Sequence, residues 1–498
     1  ATEEEREERQ RWCPMVSTRP RAVLLLLLLL LVVCDGVYSA RLLPWEEQGS
    51  GPTVTRRDSA APPSPADIVE ECYQFLESHV CQGSSWGMYY HFYRPSIAKY
   101  GPYQWLWDDS AHMIAWSHRN VTNSILSMRT MLQMQQPDGR VPEIIFWGGM
   151  SEKDKLLNEL QYSNIKEADF TQMPLLPYAL RAIWNVTQNS PQGLDLLREF
   201  VPKLVQYYQW WGRTRAVTPE NGLVSIIHSW ESGLDASPLY DKPYNVKDPK
   251  PTLLEMYPKF IELCIDYHLR YGWNQTEILQ RSKAPFDLID GYFIVQDVGV
   301  NAVYAAGWGI LADLAALFDQ QLSDMCRQQQ EHFESKILEH CWDEDLQRFV
   351  SWFKDKEGKQ AKIEVEAVQS LFPLLLQSLP KDKAESIVRS QVMNPNKFWL
   401  TYPIPSMSAD GAEFQPVFSV DLMWRGPTWP ILNWFVTEGL TRHGYWAEAN
   451  QLLDRWVALY QKTGVYEQYN PQNGDPYGPE GLGMSTLIVD WLYRLGRL

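Results

Sequence analysis

The sequence predicts an all-α protein. Twelve stretches with the apolar spacing of amphipathic helices follow one another from about residue 66, and only residues 283–295 have the character of a strand. The Pro-Asp-Gly triplet at 137–139 is a clear helix stop. Coiled-coil heptads are absent, so a helical domain of this size favours hairpins stacked in a ring, with an irregular bundle as the alternative. The predicted helices cover residues 66–79, 111–134, 171–187, 194–213, 253–272, 300–318, 321–340, 364–378, 381–393, 428–443, 446–462 and 484–496.

The N-terminus has the pattern of a secretory signal. Arg19 and Arg21 precede an apolar run at 22–34, and small residues follow at 36–40. The run is too short to span a bilayer comfortably, so we expect no stable membrane span. We therefore expect residues 1–40 to be a leader that directs the chain into the secretory pathway, as a secreted or an ER- or lysosomal-lumen protein.

The remaining chain divides into two parts. Residues 41–65 are rich in Pro, Ser and Gly, which is typical of a linker, and residues 66–498 are expected to form one helical domain. Asn-X-Thr triplets begin at Asn120, Asn185 and Asn274, and they predict a glycoprotein.

The composition narrows the class of function. The 498 residues carry a net charge of -16, which argues against a nucleic-acid-binding surface. The 22 Trp and 25 Tyr residues supply aromatic faces of the kind that stack on sugar rings. Five of the seven cysteines lie beyond the leader, an odd number that leaves at least one thiol free. Cys72–Cys81 and Cys326–Cys341 are candidate disulfides by proximity alone.

No motif indicates a metal or a cofactor, and we expect neither. The nine histidines show no ligand spacing, and no zinc-protease, phosphate-loop or serine-nucleophile motif occurs. Residues 307–312 (GWGILA) match a dinucleotide fingerprint superficially, but they lie inside a helical pattern, which favours helix packing.

Two stretches place acids in aromatic, turn-rich settings. Residues 229–238 (SWESGLDASP) hold Glu231 and Asp235, and residues 464–481 (GVYEQYNPQNGDPYGPEG) hold Glu467 between tyrosines. Taken singly, each fits a polar turn or a linker. Long loops inside a compact domain are usually functional, however. Glycosidic cleavage also needs two acids placed across the scissile bond.

Two further stretches combine tryptophans with polar residues. Residues 103–112 (YQWLWDDSAH) contain an Asp-Asp pair. A helix cap is favoured for Asp109, whereas a cap and a hydroxyl-binding role fit Asp108 equally well. In residues 423–434 (MWRGPTWPILNW), the alternative is hydrophobic packing with a surface arginine. The tryptophans concerned are Trp105, Trp107, Trp424 and Trp429. Together the four stretches indicate a carbohydrate site, because indole faces stack on sugars and carboxylates bind hydroxyls.

At this point the sequence resembles a known family. Trp-Glu-Ser-Gly-Leu-Asp, Trp-Arg-Gly-Pro-Thr-Trp-Pro and the late Glu-Gln-Tyr are together similar to motifs of glycoside hydrolase family 63, a relative of the trehalases. The resemblance covers about residues 66–498 and is greatest for the short branch that hydrolyses mannosylglycerate and glucosylglycerate. It implies an (α/α)6 toroid and an inverting α-glycosidase acting on an α-glucoside or α-mannoside.

The resemblance also implies roles for individual residues. Asp235 corresponds to the general acid and Glu467 to the general base, whereas Glu231 becomes a supporting residue. The implied substrate-binding residues are Trp105, Trp107, Asp108, Gln172, Trp230, Gly233, Trp424 and Trp429.

Two positions depart from the pattern of that branch. Lys250, followed by Pro251 and Thr252, stands where an arginine would help hold the substrate carboxylate, and Met423 stands where a tyrosine is expected. Lysine cannot reproduce the bidentate arginine contact. We therefore expect Lys250 to act only as a point charge, and we expect neutral or larger aglycones to be tolerated better than by a dedicated glycerate hydrolase.

Two other functions stay open. One is a processing glucosidase for N-linked glycans, which is disfavoured because those relatives carry a β-rich N-terminal domain. The other is a non-catalytic sugar-binding toroid, which the retention of Asp235 and Glu467 argues against.

The helix count conflicts with a toroid. Counted simply, the loop at 229–238 follows the fourth predicted helix and lies on the opposite rim from the Glu467 loop. We expect residues 151–163 to be a missed helix because they begin with a capping-box pattern. A later stretch, for which 381–393 is the candidate, would then be extra.

Overall fold

The computed structural model describes residues 62–498, apart from residues 151, 217–220, 281–292, 356 and 418–422. The predicted leader and most of the predicted linker lie outside the described residues. Most of the predicted strand 283–295 does as well, and only its last residue belongs to a described strand, Val295–Gln296.

The helices alternate along the chain between an outer and an inner layer. The outer helices are α1 (Pro65–Ser78), α3 (Val121–Leu132), α6 (Pro191–Arg215), α10 (Gln320–His340), α11 (Lys381–Ile387) and α13 (Trp446–Thr463). The inner segments are α2 (Leu106–Ser117), α5 (Leu176–Thr187), α9 (Val298–Ala315), the 3-10 segment Val368–Leu375, α12 (Pro430–Arg442) and the 3-10 segment Gly483–Leu487, which continues as α14 (Ile488–Arg494). Helices α4 (Glu152–Gln161), α7 (Leu253–Tyr271) and α8 (Gln275–Gln280) lie within connections.

The inner segments close into a ring. Each packs against the next in chain order, from α2 to α5, α9, Val368–Leu375, α12 and Gly483–Leu487, and this last segment packs back on α2. Outer helices cover the inner ones, as α10 covers α9 and α3 covers α2. The predicted (α/α)6 toroid is therefore confirmed.

Helix α9 shows why the sequence of an inner segment is almost entirely apolar. All of its residues except Asp313 are buried. Gly307 lets the Tyr208 ring approach its backbone, and Gly309 does the same for Gln330. The glycines of residues 307–312 therefore serve helix packing, as predicted. In the described part of the chain α9 alone is long and apolar enough to cross a membrane, and here it lies inside the ring.

The helix count is corrected at two places. The predicted helix 111–134 is two helices, α2 and α3, because the chain turns before Asn120, whose side-chain oxygen accepts the Thr122 N–H at 3.2 Å and caps α3. Residues 151–163 contain α4, as expected. The extra helix, however, is α7 and not 381–393, which supplies an outer helix. With α7 left out of the ring, the loops that carry Asp235 and Glu467 lie on one rim.

Short antiparallel strands occur only in the connections among the described residues. The pairs are β1 (Val80–Ser85) with β2 (Met88–Tyr93), β3 (Gln104–Trp105) with β4 (Ile144–Ile145), β6 (Trp342–Asp343) with β7 (Arg348–Phe349), and β10 (Tyr466–Tyr469) with β11 (Pro476–Glu480). A three-stranded sheet has the order β5 (Val295–Gln296), β8 (Ser351–Lys354), β9 (Gln360–Ile363). The prediction of an all-α protein missed these strands because most are too short to show an alternating pattern in the sequence.

The five described cysteines form no disulfides with one another. The candidate pairs Cys72–Cys81 and Cys326–Cys341 are therefore not disulfides in this structure. Four of the five are buried, and burial raises the pKa of the Cys326 thiol to about 12. These cysteines behave as small apolar core residues.

Candidate functional site

The predicted site residues share one rim of the ring. Each lies in a connection that runs from an outer helix to the next inner segment, or in the first turn of that inner segment. Successive inner segments run in the same direction, so their N-terminal ends meet at that rim. Residues separated by hundreds of positions in sequence are in this way brought to one place.

Glu467 lies on β10 with its side chain wholly buried. The Tyr100 hydroxyl donates a hydrogen bond to its Oε1. The Lys99 Nζ lies 3.3 Å from Oε1 and 3.3 Å from Oε2. The carboxylate therefore has a cation and a phenol as partners, and both come from the α1–α2 connection.

A β-bulge fixes the position of Glu467. Tyr466 pairs with Glu480 and Gln468 with Tyr477, so Glu467 faces two residues of β11 where regular pairing would offer one. One of the two is Gly478, with φ of +72°, and a Cβ at this residue would overlap the Glu467 side chain. Bulges are common next to active sites, where they redirect a side chain.

The hairpin that carries Glu467 is joined to the tryptophan stretch. Thr428 and Tyr469 exchange two backbone hydrogen bonds, of 2.8 and 3.0 Å. Trp424 and Trp429 lie on either side of Thr428 in the sequence, and their rings stack with 3.7 Å between ring centroids. Both indoles are buried, and Trp107 completes the group with its ring centroid 5.9 Å from that of Trp424. The predicted aromatic lining is thus continuous with the strand of Glu467.

Gly233 brings the Asp235 loop against the same aromatic group. It ends the 3-10 turn Ser229–Ser232 in the left-handed conformation, with φ of +74°. A Cβ at this position would lie 2.6 Å from the Trp107 ring. The loop can therefore approach that closely only because residue 233 is glycine. Asp235 follows it and is half-buried.

Arg425 holds the loop on the other side of Asp235. It forms a bidentate ion pair with Asp241, at 2.9 and 2.7 Å. The same guanidinium donates to the Ala236 and Pro249 carbonyls, each at 3.0 Å. Arg425 is fully buried, which excludes the alternative of a surface arginine. Its donors instead join the Asp235 loop to the tryptophan stretch.

Glu231 is a structural residue, as predicted. It is fully buried and accepts two hydrogen bonds from Arg215 of α6, at 2.9 and 2.5 Å. The backbone N–H groups of Thr171 and Ile227 donate to it as well. With its oxygens occupied in this way, Glu231 anchors the loop to an outer helix.

Asp108 and its neighbours form the start of α2. Gln172 accepts the Trp107 backbone N–H at 3.1 Å, so the predicted pocket glutamine also satisfies a free donor at this helix terminus. The Trp105 indole donates to the Tyr100 carbonyl at 3.1 Å, which anchors the segment that reaches Glu467. Asp108 is 5% exposed.

Asp109 differs from its neighbour in role. It is fully buried and accepts hydrogen bonds from Gln104 at 2.6 Å and from Ser127 at 3.0 Å. It belongs to the first turn of α2 and is not the cap, because the cap position is Trp105. The expected capping role for Asp109 is therefore wrong.

Two acids raise the pKa values of two further groups. Burial raises the pKa of Asp108 well above its usual range, and the charges of Glu467 and Asp235 add to that rise. Burial likewise raises the pKa of Tyr100, again with contributions from Glu467, Asp108 and Asp235. Because such interactions act over short distances in a partly buried site, the four groups belong to one electrostatic cluster.

The remaining predicted residues differ in burial. Trp230 is buried and packs against His228, with 4.4 Å between ring centroids. Lys250 is exposed, and its backbone N–H donates to Asp248 at 2.9 Å. In the described part of the chain no hydrogen bond or ion pair links the Lys250 side chain to the other predicted site residues.

Sequence reasoning missed Lys99, Tyr100 and Gly478. The available signal was position, because Lys99 and Tyr100 come shortly before Trp105, and Gly478 lies inside the long loop of Glu467. Clusters of His, Cys, Asp or Glu suited to a metal ion do not occur among the described residues.

The comparisons with known proteins agree on one family. The model of the mannosylglycerate hydrolase MGH1-like glycoside hydrolase domain matches residues 101–485, more than half of the chain. A mannosylglycerate hydrolase of Thermus thermophilus is 26% identical over 417 residues, covering 78% of this chain and 93% of the relative. A glucosylglycerate hydrolase of Mycolicibacterium hassiacum is 24% identical over 434 residues, covering 78% of this chain and 92% of the relative.

Solved structures support the same conclusion. A GH63 mannosylglycerate hydrolase from Thermus thermophilus, in complex with Tris and D-glycerate, superposes with a TM-score of 0.71 at 25% identity. The match covers 86% of this chain and 100% of that chain. The neutral trehalase of Saccharomyces cerevisiae, with a TM-score of 0.51 at 14% identity, shares the fold. This chain is a glycoside hydrolase and belongs to the MGH1-like family of GH63.

Proposed function

We propose that the chain is an inverting α-glycosidase in which Asp235 is the general acid and Glu467 the general base. The observation that carries the proposal is that the loops of both acids meet one group of buried tryptophans: Gly233 of the Asp235 loop lies against Trp107, and the Glu467 strand pairs with Thr428 beside Trp429. The substrate class is an α-glucoside or an α-mannoside. The tryptophans near both acids supply faces on which a sugar ring can stack.

The two acids have different tasks. Asp235 donates a proton to the leaving oxygen, and Glu467 removes one from a water on the opposite face of the ring. Room for this water requires the carboxyl groups to stand about 6.5–9.5 Å apart. Burial raises the pKa of Asp108, which favours its protonated form, and a protonated carboxyl can donate a hydrogen bond to a sugar oxygen.

The stereochemistry of the first product tests the mechanism. An α-linked substrate should release the β-anomer first, which proton NMR can observe before mutarotation. Initial release of the α-anomer, or a trapped glycosyl–enzyme ester, would rule out inversion by this pair. Absence of turnover across a panel of α-glucosides and α-mannosides would favour the non-catalytic sugar-binding alternative.

The aglycone is a separate part of the proposal. The relatives are named for mannosylglycerate or glucosylglycerate. Here Lys250 is exposed, and Met423 contacts Lys99 and Tyr100 through its sulfur, at 3.7 Å from each polar atom. The enzyme should therefore tolerate neutral or larger aglycones.

A substrate comparison tests the aglycone. The ratio of kcat/KM for glucosylglycerate to that for neutral α-glucosides should be small, in the wild type and in Lys250→Ala. A strong preference for glucosylglycerate that the substitution leaves unchanged would contradict the proposal. A large glycan preferred over all small substrates would favour the processing-glucosidase alternative.

The proposal extends to location. Asn120, Asn185 and Asn274 are all exposed, which makes them accessible to glycosylation. With the signal-like N-terminus, this favours entry into the secretory pathway and cleavage near Ser39–Ala40. A mobility shift on deglycosylation and N-terminal sequencing of secreted material test it. An intact, unglycosylated protein in the cytosol would contradict it.

A further inference from the structure

Lys99 is placed symmetrically on the Glu467 carboxylate. Its Nζ is 3.3 Å from each oxygen, and the Lys99 side chain is only 16% exposed. The same ammonium lies 4.5 Å from the centroid of the Tyr100 ring. A lysine held by a carboxylate and an aromatic face, with little access to water, is no longer a freely solvated surface charge.

The surroundings of Glu467 explain why a cation is needed. The carboxylate is fully buried, and Asp108 and Asp235 belong to the same electrostatic cluster. Burial and like charges both favour the protonated form of an acid. Tyr100 donates a hydrogen bond but carries no positive charge. From the facing strand, Gly478 contributes only backbone, and the Arg425 guanidinium is engaged by Asp241. Among the described neighbours, Lys99 is the cation that contacts Glu467.

We infer that Lys99 is the positioning residue that keeps Glu467 ionised and therefore able to act as the base. The inference rests on the proposed role of Glu467. Asp108 provides the contrast, because it is an acid of the same cluster that has no ion pair with a described residue. Of these two carboxyl groups, only Glu467 has a cation in contact among the described residues, and different environments of this kind are how acid and base tasks are commonly divided.

Replacement of Lys99 by methionine tests the inference. The loss of a cation close to a carboxylate should move the acidic limb of the pH profile of kcat/KM to higher pH, by about one to three pH units. At pH values well above the shifted limb, kcat/KM should fall less than at pH values below it. Lys99→Arg keeps the charge and should restore the limb. Lys99→Gln serves as a second neutral variant if Lys99→Met is poorly folded, as judged by its melting temperature and circular dichroism.

Lys383→Met is the matched control. Lys383 also pairs with a glutamate, at 3.1 Å from Glu344, lies 4.0 Å from the centroid of the Trp342 ring and has a similar exposure, 19%. It lies on a different part of the ring, so the limb should stay in place. A uniform loss of activity in the Lys99 variants with an unmoved limb would overturn the inference.

Glu467→Gln separates this inference from the proposed function. If Glu467 is the base, that variant should be nearly inactive at every pH. If Glu467→Gln retains turnover and its acidic limb, the proposed mechanism fails whatever Lys99 does. If Glu467→Gln is inactive but Lys99→Met and Lys99→Gln both keep the wild-type limb, only the role of Lys99 is refuted.

Discussion

Gly478 lies directly against the carboxylate of Glu467. A Cβ at residue 478 would overlap the Glu467 side chain, and the φ of +72° is already a conformation that side chains disfavour. The bulge between β10 and β11 produces this contact by placing an additional residue opposite Glu467. The position of Glu467, the proposed base, therefore depends on residue 478 having no side chain.

We expect Gly478→Ala to lower kcat by about 10²-fold, because a shift of roughly 1 Å in a reacting group has an effect of that size. Gly444→Ala is the control, since Gly444 has φ of +82° and no atom within 4 Å of its would-be Cβ. Both variants bear the backbone strain, but only the first displaces Glu467. Equal activities in steady-state assays of the two folded variants would contradict the prediction.

Asp235→Asn and Glu467→Gln should each lower kcat by about 10²–10⁴-fold while the fold is retained, because general acid and base groups contribute on that scale. Glu480→Gln removes an exposed acid from the same hairpin and should leave kcat close to wild type. Turnover close to wild type in either of the first two variants would remove that residue from the mechanism.

Asp108→Asn should raise thermal stability at neutral pH while it lowers activity. The folded-state pKa of Asp108 lies well above its unfolded value, so the folded protein binds the proton more tightly. Stability from this group is present at low pH and is lost as pH rises from the unfolded pKa towards the folded one. The asparagine side chain of the variant cannot ionise, so the variant does not lose this stability as pH rises.

Calorimetry of the wild type and Asp108→Asn across pH checks the sign. The melting-temperature gain of the variant should grow as pH increases from about 4. A gain that is constant with pH, or that shrinks, would mean that Asp108 is ionised in the folded protein.

Glu231→Gln should cost about 3–5 kcal/mol of folding free energy, because it leaves the buried Arg215 without its partner charge. The control pair is Arg129–Glu199, which also has two hydrogen bonds but side chains that are 47% and 33% exposed. Glu199→Gln should cost at most about 1 kcal/mol. Denaturant unfolding of both variants measures the difference, and equal costs would show that burial does not govern these pairs.

Local sequence patterns predicted the helices and the acidic loops because both depend on neighbouring residues. The split at Asn120 was missed because apolar spacing continues through α2 and α3, and only the capping contact marks the break. The burial of Arg425 was missed for a different reason. Its partner Asp241 is 184 positions away, and no local pattern reports a contact at that range.

The candidate site shows the same limit more strongly. Asp235 and Glu467 could be named from short motifs, but Lys99 contacts Glu467 across 368 positions. A family resemblance predicts a distant contact only when both residues belong to the family's motifs. Neither Lys99 nor Gly478 belonged to the motifs that carried the resemblance.

Ring closure also determines when during synthesis the enzyme can become competent. The segment Gly483–Leu487 packs against α2, and β10 brings Glu467 to residues near α2 only when this last inner segment is in place. A nascent chain that has completed the first five hairpins holds Asp108 and Asp235 but lacks Glu467, the proposed base. If Glu467 is the base, hydrolysis begins only after the C-terminal segment has emerged and docked, and a chain truncated before this segment should be inactive.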